Sequence, residues 1–96
     1  MGKDEIKNKL LEHTEILDKY SVKAIALFGS YVRGQQKKNS DIDLLIEFKN
    51  PTFRNYIGLL SELESIFGKK IDLVCKDALK NRIKNYILGE AEWLKM

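Results

Sequence analysis

Apolar residues recur at helical spacing in three segments of the chain, with lysine, glutamate and other polar residues between them. We predict amphipathic helices from Asp4 to about Lys19, after Asn50, and after Asp77. Asn50 and Asp77 are the expected N-caps, Pro51 would take the first helical position, and Gly68 would end the second helix. The apolar positions are Ile6, Leu10, Leu17 and Tyr20 in the first helix; Phe53, Tyr56, Ile57, Leu60, Leu63 and Phe67 in the second; and Leu79, Ile83, Tyr86, Ile87, Ala91 and Leu94 in the third.

Shorter apolar segments between these helices have the length of strands. Val22 to Phe28 is nearly all apolar, whereas Asp41 to Phe48 and Ile71 to Cys75 carry acids among their apolar residues. A helix of one to two turns from Ser30 to about Arg33, ended by Gly34, would follow the first strand. The order α-β-α-β-α-β-α predicts an α/β (α+β) fold in which helices flank a three-stranded sheet. The first two strands are joined by about a dozen residues, near the lower limit for a parallel crossover, so their relative direction stays open and the sheet is mixed or parallel.

Composition narrows the class of protein without naming a partner. The 96 residues, without linker or repeat, are expected to form a single domain over 1–96. The charged first ten residues lack the apolar core of a secretory signal, and no run is long enough to span a membrane. Cys75 is the only cysteine, so no internal disulfide can form and we expect a cytoplasmic setting. The net charge of +3 is modest and would suit a polyphosphate or RNA without identifying either.

Two features in the middle of the chain favour a nucleotide. Gly29 and Ser30 leave a strand and open a helix, where unpaired backbone N–H groups and the positive end of the helix dipole favour phosphate. Asp41 and Asp43 lie two apart on one strand, so their side chains share a face, and magnesium would relieve their repulsion. Asp72 on the next strand could complete a two-metal site or supply a general base. Together these residues predict a site for magnesium and a nucleoside triphosphate.

Each residue also has an ordinary structural interpretation, which the sequence leaves open. The three strand acids could simply face water. Arg33 could bind phosphate, or it could cover the short helix and pair with an acid. Lys37 and Lys38 favour a solvated loop, Cys75 a core position, and His13 has no second ligand or nucleophile nearby in the sequence. The sequence contains no P-loop, Rossmann fingerprint or zinc-ligand spacing.

At these residues the sequence resembles the minimal nucleotidyltransferase family of the DNA polymerase β superfamily. The resemblance covers essentially the whole chain in element order and length, and it implies the nucleotidyltransferase fold. The motifs that carry it are Gly29-Ser30, Arg33-Gly34, Ser40-Asp41-Ile42-Asp43-Leu44 and Ile71-Asp72-Leu73.

The resemblance also implies roles for the candidate residues. Gly29 and Ser30 would contact the triphosphate of ATP, and Arg33 would support the turn or the phosphates. Asp41 and Asp43 would bind two magnesium ions. Asp72 would join the metal site and help to deprotonate a hydroxyl, which attacks the α-phosphorus, expels pyrophosphate and receives AMP. Family members are often paired with a HEPN-domain toxin, so the resemblance implies an antitoxin that adenylylates a tyrosine of such a toxin.

Other functions stay open beside this hypothesis. The chain could be a non-catalytic, nucleotide-binding antitoxin that acts by protein contact. It could transfer the nucleotide to a small molecule, with a homo-oligomer supplying the acceptor surface. A small RNA-binding domain is the weakest alternative, because no aromatic stacking motif accompanies the modest charge. We expect neither DNA nor a membrane as a partner.

Overall fold

The computed structural model describes residues 1–95, which form helices on both sides of one sheet. The α-helices are α1 (Lys3–Leu11), α2 (Thr14–Lys19), α3 (Ser30–Arg33), α4 (Phe53–Phe67) and α5 (Asn81–Glu90). The strands are β1 (Val22–Phe28), β2 (Ile42–Phe48), β3 (Ile71–Cys75) and β4 (Glu92–Trp93), and a 3₁₀ turn (Lys76–Ala78) follows β3. Over these 95 residues, no helix is both long and apolar enough to cross a membrane.

The sheet is mixed, with the strand order β3-β2-β1-β4. β2 runs parallel to β3, whereas β1 runs antiparallel to both β2 and β4. The predicted α/β class with a mixed sheet is therefore confirmed, and the direction that the sequence left open is antiparallel. The predicted count of three strands is wrong, because the described chain contains a fourth.

The fourth strand lies where the sequence predicts a continuous last helix. α5 ends at Glu90, and Glu92 and Trp93 then pair with Leu27 and Ala26 at the open edge of β1. Ala91 and Leu94 fit a helical stripe equally well, but pairing satisfies backbone groups of β1 that would otherwise lack partners. The start of this helix also differs from the prediction: Asp77 lies in the 3₁₀ turn, and Lys80 is the N-cap residue.

The predicted first helix is interrupted at His13. The imidazole Nδ1 lies 2.8 Å from the carbonyl oxygen of Lys9, the acceptor that an unbroken helix would offer to the His13 N–H. That N–H bonds to Leu10 instead, and a new helix starts at Thr14. A single helix from Asp4 to Lys19 is therefore wrong, because the histidine side chain competes for the helical hydrogen bond.

The start of α4 lies two residues later than predicted. Thr52, not Asn50, is the N-cap: its hydroxyl accepts a hydrogen bond of 3.1 Å from the Asn55 N–H. Pro51 therefore precedes the cap and does not occupy the first helical position. Gly68 ends α4 with φ +62°, as predicted.

The two faces of the sheet are covered very differently. α1, α2 and α4 pack on one face and enclose most of the apolar core. The buried residues of this main core are Ile6, Leu10, Leu17, Val22, Ile25, Leu27, Tyr31, Ile42, Leu44, Ile46, Leu59, Leu63, Phe67, Ile71, Leu73 and Leu94. α5 covers the opposite face over a smaller cluster of Ala26, Phe28, Leu45 and Ile87. The alternation of β2 and β3 places Asp43 and Asp72 on this second face.

Candidate active site

The antiparallel pairing of β1 and β2 places the Gly-Ser turn beside the strand acids. Phe28, the last residue of β1, pairs with Asp43 near the start of β2. In a parallel pair, the end of β1 would lie beside the end of β2, one strand length away from Asp43. A Cβ atom on Gly29 would lie 2.1 Å from Asp43 Oδ2, and Gly29 has φ +78°. Only glycine therefore fits at this position, where the backbone touches the acid.

Asp43 and Asp72 form a carboxyl pair across the two parallel strands. They are register partners on β2 and β3, and Asp72 is the more exposed of the two. Burial raises the pKa of Asp43 from 3.8 to about 6, and the charge and hydrogen bond of Asp72 act in the same direction. The negative charge of Asp41 raises this pKa further, whereas Arg33 lowers it. The ionised form of Asp43 is thus disfavoured in the absence of a cation.

Asp41 lies before the strand that carries Asp43, and its charge acts on that residue. It is exposed and immediately precedes β2, which begins at Ile42 rather than at Asp41 as predicted. The paired carboxylates fit magnesium in kind, because they are oxygen ligands whose mutual repulsion a divalent cation would relieve. Among residues 1–95, however, no three acidic, histidine or cysteine side chains lie together as a group that could hold a metal ion. Asp43 and Asp72 are the assembled part of the predicted ligand set.

The residues expected to contact phosphate lie in and beside α3. Gly29 precedes the helix, Ser30 begins it with a partly buried side chain, and Gly34 ends it with φ +69°, as predicted. Arg33 does pair with an acid, which is one of its two predicted roles. Its Nη1 atom donates to both carboxylate oxygens of Glu90, at 3.1 and 3.0 Å, and this contact raises the pKa of Arg33.

Glu90 is the residue of this site that the sequence analysis misses. Its Oε1 atom also accepts a hydrogen bond of 3.0 Å from the Gly29 N–H, so one carboxylate joins the turn to Arg33. The sequence carries one weak sign of such a role. Glu90 is the last residue of α5, where the negative end of the helix dipole disfavours an acid.

Cys75 and His13, for which the sequence favours no catalytic role, have structural roles. Cys75 packs against the main core, and burial raises the pKa of its thiol, which disfavours the reactive thiolate. The predicted packing of this cysteine against the core is confirmed, and its side chain is partly buried. His13 lies between α1 and α2, and its imidazole contacts the Lys9 carbonyl of α1, as described above.

The sequence matches a known family and several named proteins. Residues 7–94 match the family model described as a nucleotidyltransferase domain. The chain belongs to this nucleotidyltransferase family. A protein of Methanocaldococcus jannaschii named "Putative protein adenylyltransferase" is 51% identical over 81 residues, which cover 80% of this chain and 81% of that protein. The protein adenylyltransferase MntA of Thermococcus cleftensis is 38% identical over 93 residues, or 95% of this chain and 94% of that one.

Solved structures agree with the fold of this nucleotidyltransferase. A structure described as a "putative minimal nucleotidyltransferase" superposes with a TM-score of 0.82 at 26% identity, covering 96% of this chain and 95% of the other. A toxin–antitoxin crystal structure with AMP-PNP gives a TM-score of 0.75 at 25% identity, covering 93% of this chain and 72% of the other. The family resemblance, the nucleotidyltransferase fold and the assignment as an enzyme are confirmed.

Proposed function

We propose that this nucleotidyltransferase transfers AMP from ATP to a protein hydroxyl, and that the acceptor is a tyrosine of a HEPN-type toxin. Relatives named as protein adenylyltransferases support AMP transfer to protein. A toxin–antitoxin complex with AMP-PNP among the structural neighbours supports both the nucleotide and a toxin partner. The observation that carries the proposal is the contact between the Gly29 backbone and Asp43, which is itself paired with Asp72.

The proposed roles follow from what each group can donate or accept. The N–H groups of the Gly29–Ser30 turn and the Arg33 guanidinium are donors for the oxygens of a triphosphate. Asp41, Asp43 and Asp72 would hold magnesium, which when bound neutralises the phosphate charge and favours attack on the α-phosphorus. The turn and the acids are adjacent, so the triphosphate would lie across both.

The acceptor hydroxyl would approach from the exposed side of the carboxyl pair. Its oxygen forms a new bond to the α-phosphorus while the bond to the leaving pyrophosphate breaks. Asp72 is exposed and next to Asp43, so it can accept the proton that the hydroxyl loses. Holding the two reactants in line at this edge would supply much of the rate enhancement.

A second function, neutralisation of the toxin by contact alone, is favoured by apolar side chains left exposed on two helices. Phe53 is 80% exposed and Ile57 44% exposed on α4, while Ile83 is 51% exposed and Tyr86 65% exposed on α5. Large exposed apolar groups are typical of protein interfaces. Both functions could belong to one chain, so the experiment must separate chemistry from binding.

The test incubates the chain with magnesium, α-labelled ATP and a candidate HEPN-type toxin. We expect Asp43→Asn and Asp72→Asn to reduce label transfer to the toxin by about a thousandfold or more, because each loses a magnesium ligand. Asp18→Asn is the matched control: it makes the same change of charge at an exposed position on α2, and transfer should persist. Replacing the acceptor tyrosine should abolish labelling.

Two results would count against the proposal. Equal label transfer by the wild type and both site variants would exclude Asp43 and Asp72 as essential groups. Full neutralisation of the toxin by both variants, without any label transfer, would favour the contact function instead.

A further inference from the structure

The Glu90 carboxylate contacts the same donors that the proposed triphosphate site would use. The Gly29 N–H and Arg33 Nη1 both donate to it, at 3.0 Å and at 3.0–3.1 Å. Its side chain is only 17% exposed, so the contact is partly shielded from water. A carboxylate and a phosphate are both anions with several acceptor oxygens, and charge-assisted donors bind either.

The position of Glu90 on its helix makes this contact dependent on its partners. Glu90 is the last residue of α5, at the end where the helix dipole is negative. The contacts with Gly29 and Arg33 offset that unfavourable location. A more highly charged anion at the same donors would compete with Glu90 directly.

The backbone around Glu90 is held in place, so only its side chain needs to move. The Ala91 N–H bonds to the carbonyl of Ile87 within α5, and Glu92 and Trp93 pair with β1. Rotation of the Glu90 side chain would free the donors without disturbing the sheet.

We propose that Glu90 is an internal competitor of the nucleotide: it occupies the phosphate donors of Gly29 and Arg33 in the nucleotide-free protein and is displaced by the triphosphate. This inference rests on the proposed function, because it takes these donors to be the phosphate site. The occupied state lowers the apparent affinity for nucleotide in proportion to its population, so weakening the contact increases affinity.

The experiment measures binding of inorganic tripolyphosphate by calorimetry to the full chain in EDTA. Tripolyphosphate tests the phosphate donors without a base, and EDTA removes magnesium from the acids. We expect Glu90→Gln and Glu90→Ala to bind it about tenfold more tightly than the wild type, as when the competitor occupies about nine-tenths of the molecules.

Glu92→Gln is the control for net charge. Glu92 lies two residues away and pairs with Lys3 and Lys7, so its replacement changes the net charge equally and frees two lysines that do not pair with Glu90. Its affinity should stay at the wild-type value. Equal tightening by the Glu92 and Glu90 variants would overturn the inference, because general attraction to lysines would then explain both.

The amide resonance of Gly29, followed by NMR during the titration, distinguishes failure of this inference from failure of the proposed function. Suppose that this NMR resonance shifts with tripolyphosphate in every variant, but the Glu90 variants bind tripolyphosphate with an affinity equal to or lower than that of the wild type. That result would overturn the competitor role and leave the phosphate site standing. A weaker-binding Glu90 variant would make Glu90 a positioning residue for Arg33. No Gly29 response in any variant would overturn the phosphate site and the inference together.

Discussion

The sheet face under α1, α2 and α4 buries sixteen residues, whereas the face under α5 buries four and carries the Asp43–Asp72 pair. Throughout residues 1–95, the buried set on both faces is apolar, and the two acids keep some exposure. The main core supplies most of the hydrophobic stabilisation. The second face can therefore hold two neighbouring carboxyl groups that oppose folding when both are ionised.

The largest expected effect is the loss of stability when a core side chain is truncated, and it should differ between the two faces. Leu44 is fully buried in the main core, so Leu44→Ala should lower the free energy of unfolding by roughly 3–5 kcal/mol. Ile87 is 8% exposed in the smaller cluster, so Ile87→Ala should cost about 2 kcal/mol. Urea unfolding followed by circular dichroism measures both values. Equal costs would contradict the assignment of stability mainly to one face.

The next prediction sharpens the role of the second face. Gly29→Ala would place a Cβ atom 2.1 Å from Asp43 Oδ2, so the acid must move and we expect AMP transfer to fall about 100-fold. Gly34→Ala is the matched control: Gly34 has φ +69°, but no atom lies within 4 Å of an added Cβ. Gly34→Ala should lose about 1 kcal/mol of stability from left-handed backbone strain. Gly29→Ala should lose more, about 1–3 kcal/mol, because Gly29 has φ +78° and ψ −151°, a conformation that essentially only glycine adopts. Only Gly29→Ala should lose activity. Similar activity losses would show that strain in the turn, not contact with Asp43, is responsible.

Two helical glycines compare how tightly the helices on the two faces are packed. In α4, a Cβ on Gly58 would lie 2.3 Å from Tyr20 Cε1, so Gly58→Ala should cost about 1 kcal/mol despite the better helix propensity of alanine. In α5, no atom lies within 4 Å of a Cβ on Gly89, so Gly89→Ala should stabilise by about 0.5–1 kcal/mol. Thermal unfolding measures both. A stabilising Gly58→Ala would mean that the ring of Tyr20 moves aside easily.

The smallest effect tests the cost of the acid pair through pH. The pKa of Asp43 is about 6 in the folded chain, above its ordinary 3.8, so the native state holds this proton more tightly than the unfolded chain does. Stability from this group is therefore present at low pH and is lost as the pH rises from about 4 to about 6. Asp43→Asn should raise the free energy of unfolding by roughly 1 kcal/mol at pH 7.5 without magnesium, after allowance for solvent screening.

At pH 4 the gain from Asp43→Asn should vanish, because Asp43 is then mostly protonated in the folded wild type. Asp18→Asn serves again as a control, since Asp18 is an exposed acid on the other side of the sheet. A gain for Asp43→Asn that does not change with pH would mean that ionisation is not its cause.

The hydrophobic pattern predicts most of the fold because it reports burial directly. The stripes of α4 and the alternation of β2 and β3 give the right element types, and they place Asp43 and Asp72 on the face away from the main core. The pattern does not report hydrogen bonds between side chains and backbone groups. The interruption at His13 and the cap at Thr52 are of that kind.

Contacts between distant segments account for the remaining differences. Glu92 and Trp93 form a strand because β1 offers an open edge, which no local signal in their own segment shows. The direction of β1 relative to β2 decides whether Gly29 meets Asp43, and a link of this length permitted either direction. Glu90 lies 61 positions after Gly29, so its contact with the turn becomes visible only when α5 packs on the sheet.

The parallel alignment of β2 with β3 protects the acid pair against misfolding. A shift of one residue in the pairing of β3 would turn Asp72 toward the main core and move Ile71 and Leu73 to the second face of the sheet. Such a shift would bury a charge and remove two apolar side chains from the core. The buried apolar side chains of β2 and β3, on the face away from the proposed site, therefore fix the register that holds Asp43 beside Asp72.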